Sequence, residues 1–118
     1  MGHHSILIID DEKVFANNLA KLLRHRGYKA SYVLGGTEAI SEMDRNDFDL
    51  VLLDLRMPVP NGVQTCREIF KRNKHVRVFV LTGHGAMDEV LEALKLGASG
   101  FLSKPLEIEE LLTEIEAE

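Results

Sequence analysis

Short apolar runs alternate with longer amphipathic stretches along the chain. Residues 5–10, 29–34, 49–54, 76–81 and 100–103 have the length and composition of β-strands. Apolar residues recur at helical spacing over 12–26, 37–46, 63–73, 86–96 and 106–116. In the first of these helices the predicted buried face carries Val14, Leu19, Leu22 and Leu23, and Gly27 suits a left-handed cap after the helix end. The pattern therefore predicts five strand–helix pairs.

Regular alternation of strand and helix favours an α/β fold in which helices cover both faces of a parallel sheet. The first, third and fourth strands are the most uniformly apolar, so we expect them in the centre of the sheet. The second strand is more polar and the fifth is short, which suits the two edges. With right-handed crossovers, the prediction is a flavodoxin-like, doubly wound, five-stranded parallel sheet with strand order 2-1-3-4-5 and five helices.

Length and charge narrow the class of protein. A chain of 118 residues fits one domain, which we place at 6–118, and residues 1–5 are interpreted as expression-tag residue. The net charge of −5 and the scattered basic residues argue against direct nucleic-acid binding. The apolar runs are too short to span a membrane. The single Cys66 fits a reducing compartment, so we expect a cytoplasmic protein.

Polar side chains follow four of the predicted strands. Asp10 and Asp11 follow the first strand, Asp54 ends the third, Thr82 follows the fourth and Lys104 follows the fifth. The carboxyl ends of parallel strands share one sheet edge, so these residues should meet in one crevice. Any one of them could be a helix cap or a solvated loop residue, but three clustered carboxylates repel each other unless a cation bridges them.

Magnesium chemistry accounts for the whole set. Mg²⁺ prefers a few carboxylate oxygens, retained waters and a phosphate oxygen. With part of the negative charge offset, one carboxylate can attack phosphorus and form an aspartyl phosphate. Lys104 and the hydroxyl of Thr82 are the kinds of group that balance the charge on a transferring phosphoryl group.

Four short motifs, in this order along the chain, give the sequence a family resemblance that runs from residue 6 to about 115. They are the acidic pair at 10–11, the stretch 53–58 with Gly62, the Thr82–Gly83 pair and the Lys104–Pro105 pair. In these motifs the chain closely resembles the receiver domains of bacterial two-component response regulators. The resemblance implies a phosphorylatable switch that takes a phosphoryl group from the phosphohistidine of a sensor histidine kinase or phosphotransfer protein.

The same resemblance implies a role for each site residue. Asp54 is the phosphoacceptor. Asp11, Asp54 and the backbone carbonyl of Arg56 bind Mg²⁺ directly, whereas Asp10 acts through water. Lys104 contacts the phosphoryl group, and a cis Lys104–Pro105 bond aims the lysine into the crevice. The protein would then be no metabolic enzyme, because it catalyses only its own phosphorylation and slow autodephosphorylation.

A phosphoryl group on Asp54 would draw in the Thr82 hydroxyl, and the resemblance implies that Phe101, three residues before Lys104, turns inward to fill the space behind it. Many relatives have tyrosine there, so Phe101 must respond through packing alone; the alternative is a plain core residue. The expected readout is the face of helix four, strand five and helix five, near 87–112, which would control an output domain or effector and could form a phosphorylation-dependent homodimer. Arg56 and His84 would tune the phosphoryl lifetime.

Two alternatives stay open at this stage. A haloacid-dehalogenase-type phosphatase also uses an aspartate nucleophile, but it needs a second acid two residues later, where this chain has Arg56. A degenerate receiver would bind partners without accepting phosphate, although every expected site residue is present. The chain could be a stand-alone receiver, a phosphorelay component or an excised N-terminal domain.

Overall fold

The computed structural model describes residues 5–83 and 85–117, and its elements follow one another in strict strand–helix order. They are β1 (Ser5–Ile9), α1 (Lys13–His25), β2 (Lys29–Val33), α2 (Gly36–Arg45), β3 (Leu50–Asp54), α3 (Gly62–Arg72), β4 (Arg77–Thr82), α4 (Met87–Leu96), β5 (Gly100–Ser103) and α5 (Ile108–Glu116). The strands form one parallel sheet in the order β2-β1-β3-β4-β5. The predicted fold class and strand order are therefore confirmed, with element bounds that differ by at most two residues.

The central strands are apolar on both faces because each face is covered by helices. Alternate residues of β1, β3 and β4, such as Leu7 and Val51, pack with α2, α3 and α4. The intervening residues, such as Ile8 and Leu52, pack with α1 and α5. This two-sided burial explains why these strands read as continuous apolar runs rather than as alternating patterns. Cys66 of α3 is fully buried in the first of these layers, as a core residue.

The predicted buried face of α1 is wrong at two positions. Val14 is 75% exposed and Leu22 is 47% exposed. The buried residues are Ala16, Leu19, Ala20 and Leu23, which stand at the i, i+3, i+4 and i+7 positions of one helical face. Two of the four buried residues are alanines. The sequence-based prediction favoured the larger Val14 and Leu22 instead and so assigned the wrong side of the helix to the core. Gly27, just past the helix, has a φ of 97°, the left-handed conformation predicted for it.

Helix α5 covers the same face of the sheet as α1. Its residues Leu111, Leu112 and Ile115 are buried against α1 and the strands. The guanidinium of Arg77 on β4 donates hydrogen bonds to the carbonyl oxygens of Glu114, Ile115 and Ala117, at 2.9, 2.9 and 3.1 Å. These carbonyls lack partners within the helix, so Arg77 caps its carboxyl end. Within the described ranges, no helix is both long and apolar enough to cross a membrane.

Candidate functional site

Four neighbouring strands deliver polar side chains to the carboxyl edge of the sheet. Asp10 directly follows β1, Asp54 ends β3, Thr82 ends β4 and Lys104 directly follows β5. The pairing register aligns these ends, because Asp54 lies beside Leu81 and Thr82 beside Ser103. The crevice expected from the sequence therefore exists.

Three carboxylates form the acidic part of the crevice. Asp10 is fully buried, Asp54 is 4% exposed and Asp11 is exposed. One oxygen from each lies within 4.8 Å of the others. Hard oxygen donors at this spacing suit a divalent cation such as Mg²⁺, and the exposed Asp11 leaves one side of the cluster open to water. The residues present therefore fit the ion that the sequence predicts.

Lys104 provides the positive charge of the crevice. Its Nζ donates to Asp10 Oδ2 at 2.8 Å and to Glu12 Oε1 at 3.3 Å. Its distance from Asp54 Oδ2 is 3.8 Å, too long for a hydrogen bond but close enough for attraction. Burial alone would lower the pKa of Lys104, but the hydrogen bond to Asp10 and the charges of Asp10, Asp54 and Glu12 outweigh it and raise the pKa. Lys104 therefore remains charged.

The pKa of the Asp54 carboxyl is also raised, which for an acid disfavours the charged form. Burial, the nearby charge of Asp10 and, to a smaller extent, Asp11 raise its pKa from 3.8 to about 6. The backbone N–H of Arg56, which donates to Asp54 Oδ1 at 3.1 Å, and the charge of Lys104 offset part of this rise. Without a bound metal ion, the carboxylates of the site carry more negative charge than the Lys104 ammonium balances.

The loop after β3 is held tightly against Asp54. The N–H of Gly62 donates to the carbonyl of Leu55 at 3.2 Å, and a Cβ on Gly62 would lie 2.7 Å from the Asp54 carbonyl oxygen. Only glycine allows this close approach. Asn61 then begins α3 with a capping box, in which its side chain accepts from the Gln64 N–H and the Gln64 side chain accepts from the Asn61 N–H.

Three further predicted residues lie on the strands that form the crevice or on the loops after them. The Thr82 hydroxyl is buried and donates to the Gly83 carbonyl at 3.0 Å. Phe101 on β5 is 43% exposed, so the alternative that it is a plain core residue is wrong. The Arg56 side chain donates to the Gly85 carbonyl at 2.8 Å and so links the loops after β3 and β4. His84 lies outside the described residues.

Some features of the site were not predicted. Glu12 and Phe15 both contact Lys104, with the Phe15 ring centroid 4.5 Å from Nζ. Glu12 could have been predicted from the sequence, since it extends the acidic pair by one residue. No sequence pattern predicts the contact of Phe15, because that contact depends on how α1 packs beside the end of β5. The Lys104–Pro105 bond is cis, the isomer that the resemblance implies, and the Val59–Pro60 bond is also cis, which was not expected.

Comparisons with known proteins agree with this arrangement. The family model described as "Response regulator receiver domain" matches residues 6–116. The chain is 37% identical over 113 residues to the sensory transduction protein RegX3 of Mycobacterium bovis, covering 96% of this chain and 49% of that protein. It is 38% identical over 106 residues to the transcriptional regulatory protein ZraR of Klebsiella oxytoca, covering 90% of this chain and 24% of that protein. The chain thus spans about half or less of these curated relatives.

Solved structures give the same result. The chemotaxis protein CheY4 of Vibrio cholerae superposes with a TM-score of 0.91 at 25% identity, covering 98% of each chain. A response regulator receiver domain protein from Clostridium thermocellum superposes with a TM-score of 0.87 at 36% identity, covering 95% of this chain and 90% of that one. Since the family match extends over nearly the whole chain and includes every strand that contributes to the crevice, this protein belongs to the response regulator receiver domains.

Proposed function

We propose that the domain is a phosphorylatable switch whose Asp54 accepts a phosphoryl group from the phosphohistidine of a sensor histidine kinase or phosphotransfer protein. The observation that carries this proposal is a nearly buried carboxylate with two further acids and a lysine ammonium beside it. This combination serves little purpose for stability, because burying like charges together costs free energy. It suits a site that balances the charge of a transferring phosphoryl group.

In the transfer, one carboxylate oxygen of Asp54 attacks phosphorus as the bond from phosphorus to the imidazole nitrogen breaks, and the imidazole leaves with that electron pair. The ammonium of Lys104 balances charge on the phosphoryl oxygens, and the Thr82 hydroxyl donates to one of them. Asp11, Asp54 and the Arg56 carbonyl would hold Mg²⁺ directly, with Asp10 acting through water. The ion, when bound, offsets the negative charge of both the acids and the incoming group.

The remaining residues act after the transfer. A Thr82 hydroxyl turned toward the phosphoryl group gives up its present bond to the Gly83 carbonyl, which leaves space near β5. Phe101 is half exposed and can turn into that space. Phe101 lies beside Val80, which packs in the layer that includes α4, and α4 also carries Met87 and Leu91, which are 53% and 50% exposed. This α4–β5–α5 face would then change shape, control an output domain or effector protein and support a phosphorylation-dependent homodimer.

Intact mass spectrometry after incubation with acetyl phosphate and Mg²⁺ tests the transfer. We expect one phosphoryl adduct on the wild-type chain, none on Asp54→Asn, and an adduct on the matched control Asp47→Asn, which removes an exposed acid elsewhere. Chelation of the metal should abolish labelling. Absence of an adduct on the wild-type chain would favour the degenerate receiver, and rapid turnover of a phosphorylated metabolite would favour the phosphatase.

The switching face has its own test. Beryllofluoride with Mg²⁺ should shift amide NMR signals of α4, β5 and α5 in the wild-type protein, and Thr82→Ala should weaken those shifts. Sedimentation velocity with and without the mimic reports the dimer. If the signals of this face do not move while the mimic is bound, the proposed readout is wrong even if Asp54 accepts phosphate.

A further inference from the structure

The aromatic ring of Phe15 is a neighbour of Lys104 that the phosphoryl-transfer chemistry has not yet used. Phe15 lies in the first turn of α1, and its ring centroid is 4.5 Å from Lys104 Nζ. The Lys104 side chain is only 19% exposed, so little water competes for the ammonium. A cation held over an aromatic face under these conditions is attracted by the ring quadrupole.

The distances around Nζ show what this contact restrains. A strong hydrogen bond between an ammonium and a carboxylate spans about 2.7–2.9 Å. Nζ makes such a bond with Asp10 at 2.8 Å but remains 3.8 Å from Asp54. The single bond to Asp10 leaves Nζ free to pivot, whereas Phe15 and the Glu12 carboxylate at 3.3 Å hold it on the α1 side of the crevice.

We propose that Phe15 is a positioning residue that holds the Lys104 ammonium away from the Asp54 carboxylate, at a distance suited to a phosphoryl oxygen on that carboxylate. The inference rests on the proposed function of Asp54 and deepens it. Without the ring, only the Glu12 carboxylate opposes the attraction of Asp54, so Nζ lies closer to Asp54 and pairs with the nucleophile more of the time. Asp54 then attacks phosphorus less readily, and the ammonium is displaced from the phosphoryl oxygens that it should meet.

Side-chain variants at this position separate the ring face from its bulk. Phe15→Leu keeps an apolar side chain but removes the π face, whereas Phe15→Tyr keeps both. Stepwise fluorination of the Phe15 ring keeps the shape and progressively weakens the attraction to a cation. Val14→Ala, at a position 75% exposed, is the matched control on the same helix.

The rate of phosphorylation is measured with acetyl phosphate and Mg²⁺. A small donor is required because Phe15 also lines an apolar groove with Leu22 and Leu106, so its replacement could disturb the docking of a protein donor. We expect Phe15→Leu to slow phosphorylation about two- to fivefold, the change that corresponds to ~0.5–1 kcal/mol for a cation–π contact. Phe15→Tyr and Val14→Ala should keep the wild-type rate, and fluorination should slow the reaction in graded steps.

A double-mutant cycle identifies the route of the effect. In a Lys104→Met background, the residue at position 15 should no longer change the rate. Equal rates across the fluorinated series, or an undiminished effect of Phe15→Leu without Lys104, would overturn the proposal.

A second measurement does not depend on phosphorylation at all. In the metal-free protein, the ε-methylene protons of Lys104 should show an upfield ring-current shift that disappears in Phe15→Leu. Absence of that shift in the wild-type protein would refute the contact. A wild-type chain that shows the shift but forms no phosphoryl adduct would instead contradict the proposed function and leave the positioning contact established.

Discussion

Replacement of Asp54 by asparagine should stabilise the metal-free protein at neutral pH. The Asp54 pKa is raised from 3.8 to about 6 by burial and by Asp10, so the folded state binds this proton more tightly than the unfolded state does. The protonated Asp54 carboxyl therefore contributes to the unfolding free energy in full below about pH 4, and this contribution is lost as the pH rises through 6. Asparagine has no charge to bury, and Lys104 keeps its 2.8 Å bond to Asp10.

The size of the effect follows from the shift. A rise of about two pKa units corresponds to about 3 kcal/mol of unfolding free energy at pH 7.5. For a domain near 100 residues, this is a rise in Tm of more than ~10 °C. The gap between variant and wild type should nearly close at pH 4, where both side chains are neutral. Asp47→Asn, which removes an exposed carboxylate, should stay within ~0.5 kcal/mol of the wild type.

Urea unfolding followed by circular dichroism, in EDTA at pH 4, 5.5 and 7.5, measures the difference in unfolding free energy between Asp54→Asn and the wild type. Mg²⁺ at 100 times its dissociation constant should then stabilise the wild type by ~2.7 kcal/mol and leave Asp54→Asn nearly unchanged. An Asp54→Asn protein that is no more stable than wild type at pH 7.5, or a gap that does not vary with pH, would refute the view that uncompensated charge accumulates on Asp54.

Three further substitutions test the supports of the site and the fold. Gly62→Ala places a methyl group against the Asp54 carbonyl and should cost ~1–3 kcal/mol in urea unfolding, whereas Gly83→Ala has open space and should cost little. Asn61→Ala removes the capping box of α3 and should cost ~1 kcal/mol, while an unchanged midpoint would show that water replaces the cap. Arg77→Met releases three carbonyls at and just after the end of α5 and should cost ~1.5 kcal/mol or more, with faster amide exchange confined to the end of that helix.

Much of the fold could be predicted because the sheet is covered on both faces. Continuous apolar runs identify β1, β3 and β4 as central strands, and right-handed crossovers leave few topologies for them. The prediction was wrong where small residues carry the packing. On α1 the buried face includes Ala16 and Ala20, and an alanine has no pattern that separates a buried position from an exposed one.

The candidate site also has a part that could be predicted from the sequence and a part that could not. The topology alone brings Asp10, Asp54, Thr82 and Lys104 together, so their convergence was predictable from strand ends. Phe15 was not, since its contact with Lys104 depends on the tilt of α1 and on a rotamer of a long side chain. Phe101 is half exposed rather than part of the core, and its inward turn on phosphorylation stays a prediction.

These features have a common physical basis. The proposed phosphoryl transfer requires a crevice whose charges are unbalanced beforehand, because a crevice already neutral and well bonded would gain little from a metal or a phosphoryl oxygen. Here the imbalance is localised: Asp54 is buried with a raised pKa, while the nearest cation is held 3.8 Å away by Asp10, Glu12 and Phe15. If the ammonium closed that distance, the resting protein would gain stability and lose part of its capacity to react. The restraint on Lys104 and the destabilisation by Asp54 therefore have one cause, the separation between this ammonium and this carboxylate. A Phe15→Leu variant should show slower phosphorylation. In that variant, Asp54→Asn substitution should also raise the unfolding free energy by less than it does in the wild type.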